Sequence, residues 1–397
     1  MNKIELRNLL DKLKNVHIGI IGDFCLDFYL FLDSTKSEIS LETGIATQPV
    51  REMRFSPGGA GNVAQNLQAL GVEYILAFGV TGNDIFGFKM RSMLTEKGID
   101  ISGLLEQSKD WTTHIFTKLY DNGSEQSRID FGNFNLLHPE TKGLLISQIR
   151  RAIPLLDIVI INQQVYRGIY TESFRRSIKK IIAEFPEKLF IVDSREYNDE
   201  FKGALRKLND YEGGRLCGIE RSIKETITFK EAKLIAEDLY KRWRKPLFLT
   251  RGENGCIIYS GKSYNEIPGL QIISLIDTVG AGDSMLAGIA AALGAGYGPV
   301  ESAEFGNFAA GVTIQKLSQT GTASPPEILK IGSDPDYRYR PEIAASARNS
   351  RYFENTEIEI ATSLPQERNI KHAIFDHDGT ISTLREGWEK IMEPMMV

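Results

Sequence analysis

Cysteine is scarce in this chain. Only three cysteines occur among its 397 residues, Cys25, Cys217 and Cys256, and they are widely spaced. An odd number at wide spacing provides neither a disulfide framework nor a metal-binding cluster, and it fits a reducing compartment. We therefore expect a cytoplasmic protein in which the cysteines serve as small buried hydrophobic residues.

Long apolar runs and a surplus of positive charge are also missing. No run approaches the roughly 20 apolar residues of a membrane-spanning helix. The first residues show no secretory signal, because their apolar residues alternate with charged ones as in an amphipathic helix. The 47 Lys and Arg residues are outnumbered by 52 Asp and Glu residues, which gives a net charge of −5. We expect neither a membrane nor a nucleic acid as a partner, since nucleic acid is usually bound by a basic surface.

Short apolar strands alternate with helical patterns along a chain long enough for one large domain and a smaller piece. The predicted strands are His17–Ile21, Tyr74–Val80, Ile158–Ile161, Leu189–Val192, Leu247–Thr250 and Cys256–Tyr259. The predicted helices between them include Ile85–Lys97, Thr171–Phe185 and Phe229–Arg242. This alternation predicts an α/β fold with a mainly parallel sheet, helices on both faces and ligands at the carboxyl ends of the strands.

Two segments, 28–55 and 112–132, break the alternation. The first is rich in β-forming and polar residues. The second contains two strand patterns around Asp121-Asn122-Gly123-Ser124, a good hairpin turn. Together they predict a small β lid over the substrate site; the alternative is an ordinary edge hairpin.

A glycine-rich turn, Asp277 to Asp283, precedes a helix of small residues, 284–293. Such a turn presents backbone N–H groups at a helix N-terminus, where the helix dipole favours an anion. A carboxylate beside a phosphate would be repelled, so Asp283 belongs there if it handles a proton. Phosphate-binding donors beside a carboxylate base are the parts of a phosphoryl transferase. The alternative is a helix start capped by glycine and Asp with nothing bound.

A second glycine motif, Gly58-Gly59-Ala60-Gly61-Asn62, also precedes an apparent helix, 63–70. The pair of motifs resembles the two signatures of the PfkB (ribokinase-like) carbohydrate kinases, and the resemblance extends over about residues 1–330. It implies a ribokinase-like, doubly wound α/β fold. It also implies that Asp283 is the catalytic base, and that the transferring phosphoryl group is stabilised by the N–H groups of Gly280, Ala281 and Gly282. Sugar binding would fall to Asp27, Gly58, Gly59 and Asn62.

The same resemblance implies a nucleotide and a metal site. Asn209-Asp210-Tyr211-Glu212 matches the N-x-x-E element, in which Asn209 and Glu212 position Mg²⁺ through water. The segment 249–255 matches the turn beside ATP and includes Thr250, Arg251, Gly252 and Gly255. Asn307 falls on a helix that lies against adenine in the family. A monovalent cation is a further cofactor that the resemblance suggests.

Within the family, the heptose-phosphate kinases of lipopolysaccharide precursor synthesis show the closest likeness. Four stretches carry it: 22–27, 38–42, 59–66, and 117–119 with 128–131. Lys118 and Arg128 of the lid are then candidates for binding a charged acceptor, with solvated hairpin charges as the alternative. The segment Asn162–Gly168 departs from the S-D-Y-G-K-G of those kinases, which leaves the exact sugar open.

These features predict an ATP-dependent kinase that phosphorylates a hydroxyl of a sugar or sugar phosphate. The first candidate acceptor is D-glycero-D-manno-heptose 7-phosphate at O1. Another sugar or nucleoside kinase of the family, acting on ribose, fructose or a nucleoside, remains an alternative, as does a non-catalytic sugar sensor. The resemblance also implies a homodimer formed through the lid.

The C-terminal part has a different texture. We expect a kinase domain over 1–331, a linker over 332–370 and the truncated start of another domain over 371–397. Ala373 to Thr380 resembles the opening motif of haloacid-dehalogenase-like (HAD) phosphatases, in which Asp376 would be the nucleophile and Asp378 the general acid/base. The later motifs of that family do not fit into the remaining 17 residues. A phosphatase activity is therefore an alternative only if the natural chain is longer; a coincidental strand and turn is the other interpretation.

Overall fold

The structure is a computed structural model that describes residues 1–122, 124–222, 227–317, 320–338, 351–352, 359–360 and 371–372. The chain divides into two compact units, Met1–Glu342 and Ile343–Val397. In the second unit the short strands Arg351–Tyr352 and Glu359–Ile360 pair antiparallel. Asp376 and Asp378 of the HAD-like motif lie outside the described residues.

The described part of the first unit contains ten α-helices and fourteen strands. The helices are α1 (Lys3–Leu13), α2 (Ala60–Leu70), α3 (Ile85–Glu96), α4 (Pro139–Ala152), α5 (Glu172–Glu184), α6 (Asp210–Leu216), α7 (Phe229–Trp243), α8 (Ala281–Gly294), α9 (Pro299–Thr313) and α10 (Pro325–Gly332). The strands are β1 (His17–Gly22), β2 (Phe24–Leu32), β3 (Val50–Gly59), β4 (Tyr74–Gly82), β5 (Asp100–Gln107), β6 (His114–Asp121), β7 (Ser124–Glu125), β8 (Ile129–Phe131), β9 (Ile158–Gln163), β10 (Leu189–Ser194), β11 (Leu205–Asn209), β12 (Leu247–Thr250), β13 (Cys256–Tyr259) and β14 (Tyr264–Ile267).

Nine strands form one large sheet in the order β14-β13-β12-β11-β10-β9-β1-β4-β5. The pairs from β12 through β5 are parallel, and only the β12–β13 and β13–β14 pairs are antiparallel. Strands buried on both faces read as near-continuous apolar runs, which is why β1 and β9 were recognisable in the sequence. The predicted α/β fold with a mainly parallel sheet is confirmed.

Helices cover both faces of this sheet. One hydrophobic core holds the buried residues of α1, α2, α8, α9 and α10, and a second holds those of α4 and α5. Helix α7 packs on β11–β13 in a third cluster. The small residues of α8 serve close packing, since a Cβ on Gly288 would lie 2.7 Å from the Cα of Gly306 in α9.

A second, smaller sheet runs in the order β3-β2-β6-β7, with β8 also paired to β6. It contains the segments expected to form the lid. Strand β2 pairs parallel with β6, which places Asp27 opposite Phe116 and Tyr29 opposite Lys118. Strand β3 ends at the glycine motif and strand β2 begins beside it, since Phe24 of β2 pairs with Gly59 of β3. The lid is thus continuous with the candidate site.

The first unit continues past Ile331, where the sequence analysis placed the end of the kinase domain. Tyr337 pairs with Leu270 in an isolated β-bridge, and its hydroxyl donates to Glu304 at 2.9 Å. The Arg338 guanidinium lies 3.1 Å from the Glu253 carboxylate. The packed chain therefore extends to at least Arg338. In the described part of the chain, none of the helices is both long enough and apolar enough to cross a bilayer.

Candidate active site

A cavity of about 160 Å³ lies where the lid meets the N-termini of α2 and α8. Eight of the residues that line it were predicted site residues: Asp27, Gly58, Gly59, Asn62, Lys118, Arg128, Gly280 and Asp283. Those eight come from four separate parts of the sequence. The remaining lining residues, which the sequence analysis did not assign, are Cys25, Phe116, Gln164, Arg195, Val279 and Thr320.

Gly59 shapes the first wall of the cavity. It is the N-cap of α2 and adopts φ of 52°, a left-handed value that glycine tolerates best. The N–H of Ala60 donates to the carbonyl oxygen of Asp23 at 3.1 Å. A Cβ on Gly59 would lie 2.6 Å from that carbonyl oxygen. Only glycine therefore allows β1–β2 and α2 to approach this closely.

Gly280 shapes the opposite wall as the N-cap of α8, with φ of 81°. The α-helical bonds begin with the Ser284 N–H, which donates to the Gly280 carbonyl at 3.0 Å. The Ala281 N–H instead donates to the Thr278 carbonyl at 3.2 Å. Of the three donors expected to bind the phosphoryl group, Ala281 is thus already engaged within the turn. The N–H groups that precede the first helical bond are those a bound anion meets.

A network of amides joins the two helix starts. The Asn62 Nδ2–H donates to the Asp283 carboxylate at 2.7 Å. The Oδ1 of Asn62 accepts from Gln65 at 2.8 Å and from Asn66 at 3.1 Å. The Ser284 hydroxyl donates to Asn66 at 3.0 Å. Asn62 is therefore fixed with its amino group on Asp283, which orients the carboxylate in the cavity.

Asp283 has a shifted proton affinity. Burial raises its pKa from 3.8 to about 6, against the lowering effect of the Asn62 hydrogen bond, and the charge of Asp193 adds to the increase. A carboxylate with this pKa is ionised at neutral pH yet basic enough to accept a proton, which suits a general base.

Asp27 and Lys118 form the lid side of the cavity. The Lys118 ammonium lies 3.2 Å from the Asp27 carboxylate and donates to the Tyr29 hydroxyl at 3.3 Å. Burial raises the pKa of Asp27, and the charge of Lys118 opposes the increase. A Cβ on Gly58 would lie 3.5 Å from the Asp27 carboxylate, so the glycine keeps space open beside it.

Two arginines complete the cationic wall, and they differ in their partners. Arg128 makes a two-pronged contact with Asp130, at 2.6 and 2.7 Å. Arg195 is exposed, and its Nε–H donates to the side-chain carbonyl of Gln164 at 3.0 Å. Neutral Gln164 leaves the charge of Arg195 uncompensated by that contact, whereas a carboxylate already faces Arg128.

Asp23 holds the segment 162–168, whose sequence differs from that of the heptose-phosphate kinases. Its buried carboxylate accepts the N–H groups of Gln164 at 3.0 Å, Val165 at 3.3 Å and Ile169 at 3.1 Å. Burial raises the pKa of Asp23 to about 6, and these backbone hydrogen bonds oppose the increase. Asp23 thereby fixes the loop that places Gln164 in the cavity.

Asn209 and Glu212 cap α6 reciprocally. The Asn209 N–H donates to Glu212 at 3.0 Å, and the Glu212 N–H donates to the Asn209 side chain at 2.7 Å. Burial raises the pKa of Glu212 to about 7, with the charge of Asp193 as a second cause. One oxygen of each side chain is thus used in the cap, and neither residue lines the cavity.

The residues expected at the nucleotide lie together at the end of β12. Thr250 pairs with Asn209 of β11, and Arg251 forms an ion pair with Glu266. Gly255 adopts φ of 78°, and a Cβ there would lie 2.5 Å from the N of Gly269. Asn307 of α9 donates to the carbonyl of the adjoining Pro268 at 3.0 Å. None of these residues lines the 160 Å³ cavity.

Comparison with known families identifies the chain. The profile described as "pfkB family carbohydrate kinase" matches residues 17–141 and 202–326. This chain belongs to the pfkB carbohydrate kinases. The enzyme is a sugar kinase, and the prediction of a phosphotransferase acting on an alcohol group is confirmed.

Similar full-length proteins include two named "Bifunctional protein HldE". The one from Wolinella succinogenes is 29% identical over 316 residues, which cover 79% of this kinase and 64% of the relative. The one from Desulfatibacillum aliphaticivorans is 26% identical over 376 residues, 94% of this kinase and 72% of the relative. The kinase thus spans about two thirds of the length of the curated relatives it matches.

Solved structures show the same fold at lower identity. Phosphofructokinase-2 from Escherichia coli, in complex with potassium, has a TM-score of 0.64 at 18% identity and covers 80% of this chain and 97% of its own. Ribokinase from Arabidopsis thaliana, complexed with ribose and ATP, has a TM-score of 0.62 at 17% identity and covers 80% and 98%. The ribokinase-like fold of this pfkB kinase is therefore confirmed.

One ion pair at the kinase site escaped the sequence analysis. Lys207 of β11 lies 2.8 Å from Asp193 of β10, and both are buried. A Cβ on Gly282 in the first turn of α8 would lie 3.1 Å from the Lys207 ammonium. Two adjacent cationic residues, Arg206 and Lys207, in a short buried strand were the available signal.

Proposed function

We propose that this kinase transfers the γ-phosphoryl group of ATP to a hydroxyl of a sugar phosphate, with D-glycero-D-manno-heptose 7-phosphate at O1 as the first candidate. The observation that carries the proposal is a single cavity lined by the N-terminus of α8, three cationic side chains and Asp283, a carboxylate with a raised pKa. The names of the relatives from W. succinogenes and D. aliphaticivorans support the heptose candidate.

Asp283 acts as the base in this proposal. It accepts the proton of the acceptor hydroxyl as that oxygen attacks the γ-phosphorus, a contribution of about 10²- to 10⁴-fold. The Asn62 amide holds the carboxylate in place at 2.7 Å. The N–H groups of the first turn of α8, with Gly280 and Gly282, face the negative charge of the transferring group.

Asp27 accepts hydrogen bonds from sugar hydroxyls, with Gly58, Gly59 and Asn62 around it. The support is that Asp27 is buried, lines the same cavity as Asp283 and lies beside Gly58. A buried carboxylate with unmet acceptor capacity discriminates strongly in favour of hydroxyl-rich ligands, because an unpaired polar group is costly.

The acceptor carries a negative charge. Lys118, Arg128 and Arg195 line the cavity together, and charge-assisted hydrogen bonds from such groups favour phosphate. Lys118 and Arg128 already face Asp27 and Asp130, whereas the side-chain contact of Arg195 is with an amide. We assign Arg195 the larger share of the affinity for the phosphate. An uncharged nucleoside fits this lining less well.

ATP and Mg²⁺ are the proposed cofactors. Thr250, Arg251, Gly252, Gly255 and Asn307 would bind the nucleotide at the carboxyl end of β12. Among the described residues no three His, Cys, Asp or Glu side chains form a metal cage. Asn209 and Glu212 fit the outer role, because Mg²⁺ keeps several waters and binds phosphate oxygens, and a divalent charge would relieve the raised pKa of Glu212. Mg²⁺ would supply charge neutralisation on the phosphates.

Four further proposals accompany this function. A monovalent cation is proposed on the potassium complex of the E. coli phosphofructokinase-2, and replacing KCl by choline chloride tests it. A homodimer through the lid is proposed because the lid exposes Ile39, Leu41, Ile45 and Met53, and sedimentation of a Leu41→Glu variant tests that. A cytoplasmic location is proposed because three widely spaced cysteines fit a reducing compartment. A HAD-like phosphatase activity through Asp376 and Asp378 is proposed only for the case that the natural chain is longer, and phosphate release from the heptose bisphosphate tests it.

The deciding experiment measures ADP release with heptose 7-phosphate, free heptose, fructose, ribose, mannose and adenosine. We expect the highest kcat/KM for heptose 7-phosphate and a rise in its KM of at least about tenfold in Arg195→Gln, since charge-assisted contacts contribute about 1.5–3 kcal/mol. Arg176→Gln, on the exposed surface of α5, is the matched control. A higher kcat/KM for any unphosphorylated acceptor contradicts the proposal.

A further inference from the structure

Lys207 is a buried cation in an unusual place. Its side chain is 7% exposed, and its ammonium lies 2.8 Å from the Asp193 carboxylate. It stands 3.1 Å from the point that a Cβ of Gly282 would occupy. Gly282 belongs to the first turn of α8, so the ammonium lies beside the backbone donors of the candidate phosphoryl site.

The charges around Lys207 are mostly negative. Burial lowers the pKa of Lys207, but the charges of Asp193, Glu212 and Asp283 outweigh this and raise it. The same ammonium lowers the pKa of Asp283 and of Glu212. The 2.8 Å ion pair with Asp193 and the closeness of the Gly282 backbone thus place a buried ammonium beside the first turn of α8.

A purely stabilising role explains this arrangement poorly. Replacing a buried ion pair by apolar residues of similar volume is often neutral or stabilising, so a buried Lys207–Asp193 pair is weak evidence for a role in stability alone. A fixed cation beside a helix N-terminus is instead suited to negative charge that develops during phosphoryl transfer.

We propose that Lys207 is a catalytic residue whose ammonium donates a hydrogen bond to the transferring phosphoryl group, and that Asp193 is the positioning residue that aims it. In this step the bond between the γ-phosphorus and the bridging oxygen of ATP breaks, and its electron pair leaves with ADP. The acceptor oxygen forms the new bond and loses its proton to Asp283. Lys207 keeps its proton throughout and contributes charge alone.

Asp193 also connects this cation to the acceptor side. Its second oxygen accepts from the Gln164 amide at 3.3 Å, and Gln164 in turn accepts from Arg195 at 3.0 Å. One carboxylate thus fixes both Lys207 and the loop that lines the cavity. An Asp193→Asn variant retains the size of the side chain while weakening the hold on the ammonium.

The test compares Lys207→Met and Lys207→Gln with the unmodified enzyme, using whichever sugar of the panel is phosphorylated fastest. It needs only the sugar kinase activity, so rejection of the heptose candidate and rejection of Lys207 are separate results. We expect kcat to fall about 10²- to 10³-fold, as for loss of one oxyanion donor. The acceptor KM and the Kd for ADP should change by less than about threefold, because the contact forms in the transition state.

Two measurements separate catalysis from structure. Lys179→Met removes another Lys–carboxylate pair, with Glu200 at 2.8 Å, and should leave kcat unchanged. Adding methylammonium to Lys207→Ala should restore part of kcat and leave Lys179→Met unaffected. If Lys207→Met is insoluble, Lys207→Gln supplies the same readout. A kcat within about tenfold of the unmodified enzyme in a folded Lys207 variant overturns the proposal, as does an equal loss of ADP affinity.

Discussion

The contact between Asn62 and Asp283 yields the sharpest prediction about pH. The Asn62 amino group donates to the Asp283 carboxylate at 2.7 Å and so favours the ionised base. A hydrogen bond to a charged group contributes about 1.5–3 kcal/mol. At 1.36 kcal/mol per pKa unit, Asn62→Ala should raise the pKa of Asp283 by about 1–2 units, from about 6 to about 7–8.

The assay is the dependence of kcat/KM on pH between about 5 and 9, because this parameter reports the pKa values of the free enzyme. In the unmodified kinase the acidic limb should have its midpoint near pH 6. In Asn62→Ala the limb should move to higher pH, so that the loss of activity is large at pH 6 and shrinks towards pH 9. If Asn62→Ala removed only a contact with the sugar, kcat/KM would fall by the same factor at every pH and the midpoint of the acidic limb would stay unchanged.

Gln65→Leu is the matched control for this experiment. The Gln65 side chain donates to Asn62 at 2.8 Å and makes no described hydrogen bond to Asp283. The midpoint should stay near that of the unmodified enzyme in this variant. An Asn62→Ala midpoint that equals the control, or lies below it, would refute the assignment of Asp283 as the base that Asn62 tunes.

Three further predictions concern single positions and the boundary of the unit. Asp283→Asn should lower kcat at least about 100-fold with ADP binding retained. The pKa of Asp283 in the folded protein, about 6, exceeds the ordinary value of 3.8, so the stability contributed by the protonated carboxyl is full below pH 3.8 and lost as pH rises through 6. The Asp283→Asn variant should therefore melt at a higher temperature than the unmodified enzyme at pH 8, with a free energy of unfolding larger by up to about 3 kcal/mol. At about pH 3.5 the variant should show no such gain. Gly59→Ala should destabilise the fold and abolish activity, since its Cβ meets the Asp23 carbonyl at 2.6 Å; normal melting and kcat would contradict this. Ending the chain after residue 331 should lower the melting temperature relative to ending it after 342, because only the longer chain retains Tyr337 on Glu304.

Local patterns in the sequence predicted six of the nine strands of the large sheet and the two helices that follow the glycine motifs. Strands β1, β9 and β10 are apolar because helices cover both faces, so their composition reveals them. The helices α2 and α8 begin at Ala60 and Ala281, three residues earlier than the predicted starts at 63 and 284. The first turns of both helices contain glycine, which from sequence alone predicts a turn and not a helix. In the structure these glycines are helical, because they pack closely against the site.

The missed site residues depend on contacts between distant segments. Lys207 gains its position beside Gly282 only when β11 and α8 meet at the same edge of the sheet. Arg195 follows β10 and contacts Gln164, whose backbone is held by Asp23 of a distant segment. Neither contact produces a periodicity or a spacing that can be recognised in the sequence. The contacts of these two residues could therefore not be predicted from the sequence. The position of Lys118 was predictable, because the lid hairpin is a local structure, but its pairing with Asp27 was not.

The buried charged residues near the N-terminus of α8 influence one another electrostatically. The charge of Asp193 raises the pKa of both Glu212 and Asp283, and the Lys207 ammonium lowers both. Such a cluster is unfavourable for the protein by itself, because each charge has to be desolvated. Metal-bound nucleotide would bring both a divalent cation and phosphate oxygens to the same place. In the proposed function, Mg²⁺ would supply positive charge beside these carboxylates, while Lys207 and the N–H groups of the first turn of α8 would face the phosphate. The bound substrates would then complement the charges that disfavour one another in the protein alone.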